Sequence, residues 1–292
     1  MSPSEQQVLR TIQEYGEATR PQLAVATGLS LVTVNQAVAK LTRGGHLEEC
    51  GSIPSDGGRP VQLYRFNKRR AYHVLLHIQR EGRTLHAQLE EIDLQGSPIC
   101  HLEGRFAYLD KESFDGWIDS IRHRHRIRSI VLSTGAEILH EELVQHLHAR
   151  YNCPVHTPSI AAMLAVQHKQ SISLCLPDGA PASCAYIHHG HLHECSHLAT
   201  LPLPCPWEEI PLHDSSMQEE AAARLIQILS CILSPSTIHI HSSAWSPKLV
   251  ERIRYNASIK LRGKLPGLRF SVLSEGYFQQ ALRAYAINIP HT

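Results

Sequence analysis

Residues 20–60 read RPQLAVATGLSLVTVNQAVAKLTRGGHLEECGSIPSDGGRP, and the fold is decided there. Pro21 sits where the first turn of a helix tolerates a missing N–H, behind Thr19 or Arg20, and Leu23, Val25 and Ala26 give that short helix one apolar face. Gly28 ends it. The Gly28-Leu29-Ser30 turn reverses the chain, Ser30 caps a second helix, and Val34, Val38 and Leu41 recur at helical spacing on its buried side. Thr33, Asn35, Gln36 and Lys40 then face outward. Gly44-Gly45 stops this helix, His46 to Cys50 alternates as a strand, and Val61 to Phe66 returns as a second strand after a polar tip from Ser52 to Gly58. Two helices about a glycine turn, followed by a hairpin, describe a winged helix-turn-helix.

The major groove of DNA admits one helix whose first turns meet base edges, so double-stranded DNA is the expected partner. Asn35 and Gln36 are the candidate base readers. Ser30, Thr33 and Lys40 complete the candidate contact set on the helix, and Arg59 on the wing tip is expected at phosphate or in a minor groove. Two plainer readings stand beside this one. The head could be a packing or protein-binding module, and Arg59 could pair with an acid such as Glu48.

The charge is consistent with a reader head but would not identify one. Residues 1–70 carry nine Lys/Arg against six Asp/Glu, hence +3, whereas the remainder carries nineteen against twenty-one, hence −2. A chain of 292 residues holds two or three compact units. Its eight cysteines include no C-x-x-C, and MSPSEQQVLR lacks the apolar run of a signal peptide, so a reducing cytoplasm is expected. No stretch approaches the roughly 18 consecutive apolar residues of a membrane helix, so no membrane partner is expected.

Residues 4–15 predict a first helix capped by Ser4, with Val8, Leu9, Ile12 and Tyr15 inward. Asn67 to Arg70 (NKRR) reads as a basic joint, more linker than phosphate contact. Beyond it, strands at 72–78, 85–92 and 99–108 precede a helix at 113–125, a strand at 127–132, a helix at 137–151, a short strand at 154–156 and a helix at 159–168. The same order then repeats, with strands at 171–176, 182–188 and 191–195, a helix at 216–233, a strand at 237–241, a helix at 246–259, a strand at 268–273 and a helix at 275–287. Ser216 with Glu219 offers a capping box, and Ser246-Pro247 a cap with proline at the first helical position. The fold class is therefore α/β, with a head at 1–70 and two like units at 71–169 and 170–292. A cleft between two such units suits a small ligand.

This order of parts resembles the repressor branch of the ROK family (repressor, open reading frame, kinase). The segments that carry the resemblance are GLSLVTVNQAVAKLTRGGHLEE with its GGRP wing, CPVHTPSIAAMLAV, and CAYIHHGHLHECSHLATLPL. It implies a duplicated ribonuclease-H-like, actin/hexokinase-type domain descended from sugar kinases and serving dimerisation and sensing of a sugar-like effector. It also implies four losses. Active members end the first strand in Asp-x-Gly-x-Thr, which cradles nucleotide phosphate, where this chain has LLHIQREGRT. Their catalytic Asp falls near Thr157-Pro158, neither of which can accept a proton from a sugar hydroxyl. Their Ala-Gly-Glu-x-Gly-His signature is replaced from His197 by HLATLPLP, with only Cys205 in place of a zinc-binding cysteine cluster, and their glycine-rich adenosine loop by His241-Ser-Ser-Ala. The resemblance thus implies a transcriptional regulator of carbohydrate-related genes, a homodimer matched to a two-fold operator, with no enzymatic activity and no required cofactor. In the reader helix, family members often carry Arg where this chain has Leu31 and Gln36.

Twenty of the 21 histidines lie outside the head. His189, His191, His193, Cys195 and His197 recur every second residue, so one unbroken strand would align five metal ligands on a face, and Zn²⁺ is the cofactor such a face would take. A turn at His189-Gly190 would instead pair His188 with His191 across two strands. Two further functions stay in play: a metal-responsive regulator using this hairpin, and an ATP-dependent sugar kinase. His140-Glu141-Glu142-Leu143-Val144 begins like H-E-x-x-H but lacks the second histidine, and no G-x-G-x-x-G or G-x-S-x-G is present.

Overall fold

A computed structural model describes residues 1–292 except 56–57, 108–110, 122, 124–125, 135–140, 169–170, 178–180, 196–197, 199–202, 204–206, 212–213, 244 and 290–292; at 55, 58–59, 111–113 and 208 only the backbone is described. The chain divides into two compact units, Met1–Tyr72 with Asp93–Gln95, and the remainder.

The first unit opens with α1 (Pro3–Tyr15), capped by Ser2 in a reciprocal box with Glu5 rather than by Ser4. Ser2 wins because Pro3 then falls in the first turn, where its missing N–H costs nothing. Strand β1 (Glu17–Thr19) follows, and Thr19 caps α2 (Arg20–Thr27) in a second box with Gln22. Gly28, at φ +70°, closes α2 in the left-handed region that a side chain resists. Helix α3 (Leu31–Arg43) starts on the Ser30 cap. Val8, Ile12, Leu23, Val34, Ala37, Val38, Leu41, Leu47 and Tyr64 form the core between these helices and the sheet. Each large aliphatic among them contributes about 1.5–3 kcal/mol relative to exposure.

The wing strands are longer than the sequence pattern predicts. β2 (Leu47–Ser55) pairs with β3 (Gly58–Phe66) from Leu47↔Phe66 to Ser55↔Gly58, and β1 joins the other edge of β3. The polarity of Ser52 to Gly58 signalled a loop, but a ribbon wet on both faces has no apolar alternation to announce it. Val25 and Ala26, expected on an apolar face, are exposed; Val25 is 87% accessible, and Leu23 alone of the expected three is buried.

The second unit contains two five-stranded sheets of one plan. The first holds β4 (Tyr72–Glu81), β5 (Thr84–Asp93), β6 (Pro98–Phe106), β7 (Ile127–Thr134) and β8 (Val155–His156), in the order β6-β5-β4-β7-β8. Helices α4 (Lys111–Ile118), shorter than predicted, and α5 (Glu141–Tyr151) cover one face, where Phe114, Ile118, Leu143 and Leu147 meet Val74, Leu76 and Ile130. The second sheet holds β9 (Ile172–Cys175), β10 (Ser183–His188), β11 (His191–Cys195), β12 (Thr237–Ser242) and β13 (Gly267–Val272), in the order β11-β10-β9-β12-β13. Helices α7 (Ser215–Leu233) and α8 (Pro247–Lys260) cover its outer face. Asp214, not Ser216, caps α7, its carboxylate accepting from Ser216 N and Met217 N, whereas Ser246 caps α8 as the sequence predicts. This is the duplicated ribonuclease-H-like architecture.

The inner faces are covered by exchange. Helix α6 (Ile160–Gln167) follows the first sheet but lays Ala161, Ala162 and Ala165 on Cys175 and Ala185 of the second. Helix α9 (Glu275–Asn288) follows the second sheet but packs Phe278, Ala281 and Leu282 with Leu75 and Val131 of the first. Met163 and Leu164 join the two helices.

Candidate nucleic-acid interface

Helix α3 buries Val34, Ala37, Val38 and Leu41 and so must present its other side outward. Gln36 is exposed and Asn35 half-buried, and among the described residues no hydrogen bond within the chain occupies either amide. Both keep the donor and acceptor that a base edge needs. Ser30 is committed: its Oγ accepts from Thr33 N at 3.1 Å and lies 2.9 Å from Thr33 Oγ1, so these two residues fix the start of the helix. Lys40 is exposed but leans to Glu5, with Nζ 3.5 Å from Oε1. The Ser2 backbone N–H is the first reason that Glu5 titrates below the usual carboxylate range, and Lys40 adds to it.

Val32 escaped the sequence reading, and Leu31 entered it only as a position where family members often carry Arg. Leu31 and Val32, 49% and 66% accessible, stand exposed in the first turn of α3. A helical pattern assigns apolar residues inward by default, and only the observed phase of Val34, Ala37 and Leu41 sets them outside.

In the wing, the Arg59 side chain lies outside the described residues, although its backbone belongs to β3. Glu48, the acid that could have held Arg59, accepts from Arg65 Nε at 2.6 Å. Three of the four residues of the basic joint are held internally. Asn67 donates to Gly45 O at 3.1 Å, Lys68 Nζ lies 3.1 Å from Asp93 Oδ2, and Arg70 Nη1 is 2.6 Å from His46 Nδ1.

In the second unit, the residues that the resemblance aligns with a phosphate cradle and a base fall in the β4–β5 turn and just before α6. The β4–β5 turn is a plain glycine reversal at Gly82, φ +62°. Thr157 and Pro158 precede α6, whose first turn is held by the Ser159 cap; Ser159 N donates to Glu194 Oε2 at 3.3 Å. Of the chain from His197 to Pro204, only Leu198 and Leu203 are described.

The histidine run is broken by a hairpin. His188 pairs with His191, while His189, at φ +50°, and Gly190, at φ +81°, form the two-residue turn. His191, His193 and Cys195 share a face of β11, the first two exposed. The His193 ring stacks on Tyr186 at 5.1 Å, and Cys195 stands opposite Cys184. Its hydrogen bond with Cys195 pushes the Cys184 thiol up, and burial adds to this, while the same bond lowers the Cys195 thiol to about 7. The turn carries His189 away from this face, and His197 lies outside the described residues. Among the described residues, three ligand atoms converge elsewhere: at His168, His239 and His241.

Residues 1–46 match the winged helix-turn-helix DNA-binding family. No curated protein matches the chain by sequence. Among solved structures, a ROK family transcriptional regulator, a homologue of the Escherichia coli Mlc protein, superposes with a TM-score of 0.60 at 13% identity, covering 97% of this chain and 96% of its own. The chain shares the fold of that regulator. A Listeria monocytogenes protein assigned as an N-acetylmannosamine kinase superposes with a TM-score of 0.50 at 11% identity, over 73% of this chain and 98% of its own. That coverage is three quarters of the present chain, whereas the regulator's is nearly all of it.

Proposed function

We propose that the chain is a DNA-binding transcriptional regulator, a repressor of carbohydrate-related genes, acting as a homodimer in the cytoplasm. The observation that carries this reading is α3, with the free amides of Gln36 and Asn35 beside an exposed apolar first turn. Arginines read guanine through bidentate bonds, and this helix has none at its start. It offers Leu31 and Val32 instead, side chains suited to the methyl of thymine. Thr33 and Ser30 orient the helix, Lys40 supplies phosphate affinity, and Arg59 reaches phosphate or an A·T-rich minor groove from the wing.

The second unit then senses or dimerises without phosphoryl transfer. Gln79 to Thr84 hold no Asp-x-Gly-x-Thr, and Thr157-Pro158 no base. A sugar-like effector would fall in a cleft between its two sheets, the kind of place where small ligands bind.

The experiment is selection of binding sites from random duplexes by the full chain, followed by anisotropy titration. We expect an A·T-rich palindrome whose affinity falls steeply with salt. Gln36→Ala and Asn35→Ala should each weaken it by about 1–3 kcal/mol, and Arg59→Ala should flatten the salt slope by about one phosphate contact. Unchanged affinity in both amide variants rejects this set of readers. Clear turnover in a coupled ATP-dependent assay across hexoses rejects the non-enzymatic reading of the second unit.

A further inference from the structure

His239 and His241 alternate on β12, so strand geometry puts both on one face of the second sheet. His168 caps the C-terminal end of the exchanged helix α6 and meets them there. The His168 and His239 rings stack with centroids 3.9 Å apart, and His168 to His241 measures 5.7 Å, at interplanar angles of 21° and 13°. One nitrogen from each ring lies within 4.8 Å of the other two.

This cluster lacks the features that ordinarily explain gathered histidines. His241 is fully buried, yet neither of its ring nitrogens has a hydrogen-bond partner, and Ser173 Oγ, on the strand beside His239, is likewise buried and unpartnered. Orphaned polar groups of this kind cost about 1–3 kcal/mol each. Among the described residues, no carboxylate is hydrogen-bonded or ion-paired to the three rings. Burial lowers the proton affinity of all three rings, Arg269, opposite His239 on β13, adds to this at His168 and His239, and mutual repulsion adds at His239 and His241, all favouring the neutral form that donates a lone pair to a metal. Tyr277 of α9 completes the surroundings, its hydroxyl 2.8 Å from His168 Nε2.

We infer that His168, His239 and His241 form a binding site for a borderline divalent transition-metal ion, Zn²⁺ foremost, distinct from the histidine-rich hairpin. Three imidazoles leave a fourth tetrahedral position for water or a small anion. Capture requires the rings to turn about Cβ–Cγ from their near-parallel stack until their planes meet, and the nitrogens to close to about 3.4 Å, the spacing set by metal–nitrogen bonds of ~2.05 Å. His168 and His239 are half-buried and give the ion its entry. Once bound, the metal would tie α6 to β12, fastening the exchanged helix to the sheet it covers. This inference does not depend on the DNA-binding reading, and its test contains no DNA.

The test is titration of chelator-stripped full chain with Zn²⁺ against a chromogenic competitor, and with Co²⁺ followed by its visible ligand-field bands. The wild type should bind one ion tightly, with bands of tetrahedral intensity and a raised melting temperature. His168→Gln and His239→Gln, both at half-exposed positions, should each weaken binding by roughly 100-fold. The His191→Ala/His193→Ala hairpin variant should bind as the wild type does. A wild type without a tight site overturns the inference, as does binding that survives both glutamine substitutions or disappears with the hairpin pair. Circular dichroism of each variant separates lost ligation from lost folding.

Discussion

The two sheets of the second unit share one strand order, and each is covered on its inner face by the other's following helix, but those inner faces differ in chemistry. On the first, the polar side chains of α9 find counterparts: Gln88 donates to Glu275 at 2.8 Å and accepts from Gln279 at 2.9 Å, and Arg283 clasps Glu90 at 2.5 and 2.6 Å, although Nδ1 of His77, beside Phe278, has none among the described residues. On the second, α6 brings alanines to the sheet, and among the described residues the buried His241 ring and Ser173 Oγ have no such counterparts. Duplication has preserved topology while leaving each interface to find its own chemistry. A matched polar interface resists change, and an unmatched one tolerates it or awaits a ligand.

Mutations can break this contrast. The largest effect is expected from Phe278→Ala, which empties the centre of the α9 contact where the ring lies 4.5 Å from His77 and packs with Leu75 and Val131; urea unfolding should show a loss of about 3 kcal/mol. A loss under about 1 kcal/mol would mean that α9 is not the cover of the first sheet. Next comes Arg283→Met. It strands the Glu90 carboxylate, and because Arg283 is itself 34% exposed the cost should be about 2 kcal/mol, less than for a wholly buried pair.

Acid should separate the faces. Burial first, then repulsion from its neighbours, depresses His241 to about 3 and His239 to about 4 from an ordinary 6.5. The unfolded chain therefore binds more protons below about pH 6.5, so stability held above that pH is lost as pH falls toward 4. With chelator present, the difference in melting temperature between wild type and His241→Leu should change in the variant's favour across this window; a constant difference would show that His241 is not neutral in the fold. The smallest effect is expected at pH 8, where His241→Leu swaps an unpartnered imidazole for an apolar side chain and should alter stability by no more than about 1 kcal/mol in either direction.

Much of this architecture is legible in the sequence. The helix-turn-helix follows from Gly28, Ser30 and the Val34, Val38, Leu41 period, and the repeated strand and helix order gives the duplicated sheets. What escaped did so for local reasons. Ser2 and Ser4 both precede an acid or amide at capping distance, and Val25 is apolar without being inward. The paired outer halves of β2 and β3 are polar on both faces. The histidine cluster was hidden for a different reason: the His239, His241 alternation was present on a predicted strand, but His168 lies far away in sequence and meets them only because α6 crosses to the other sheet. The conspicuous run from His189 to His197, in contrast, is divided by its own turn.

That crossing also orders events during synthesis. The head is assembled from one continuous early stretch apart from three residues, and it can fold as soon as it has left the ribosome. The first sheet has no such freedom: the helix that seals its inner face lies far downstream, beyond the whole second sheet, so Leu75 and Val131 stay wet until Phe278 arrives. A nascent chain would thus carry a finished head attached to an unfinished body, and a message broken before α9 would leave the head whole while stripping Phe278, Ala281, Leu282 and Ala286 from the inner face of the first sheet.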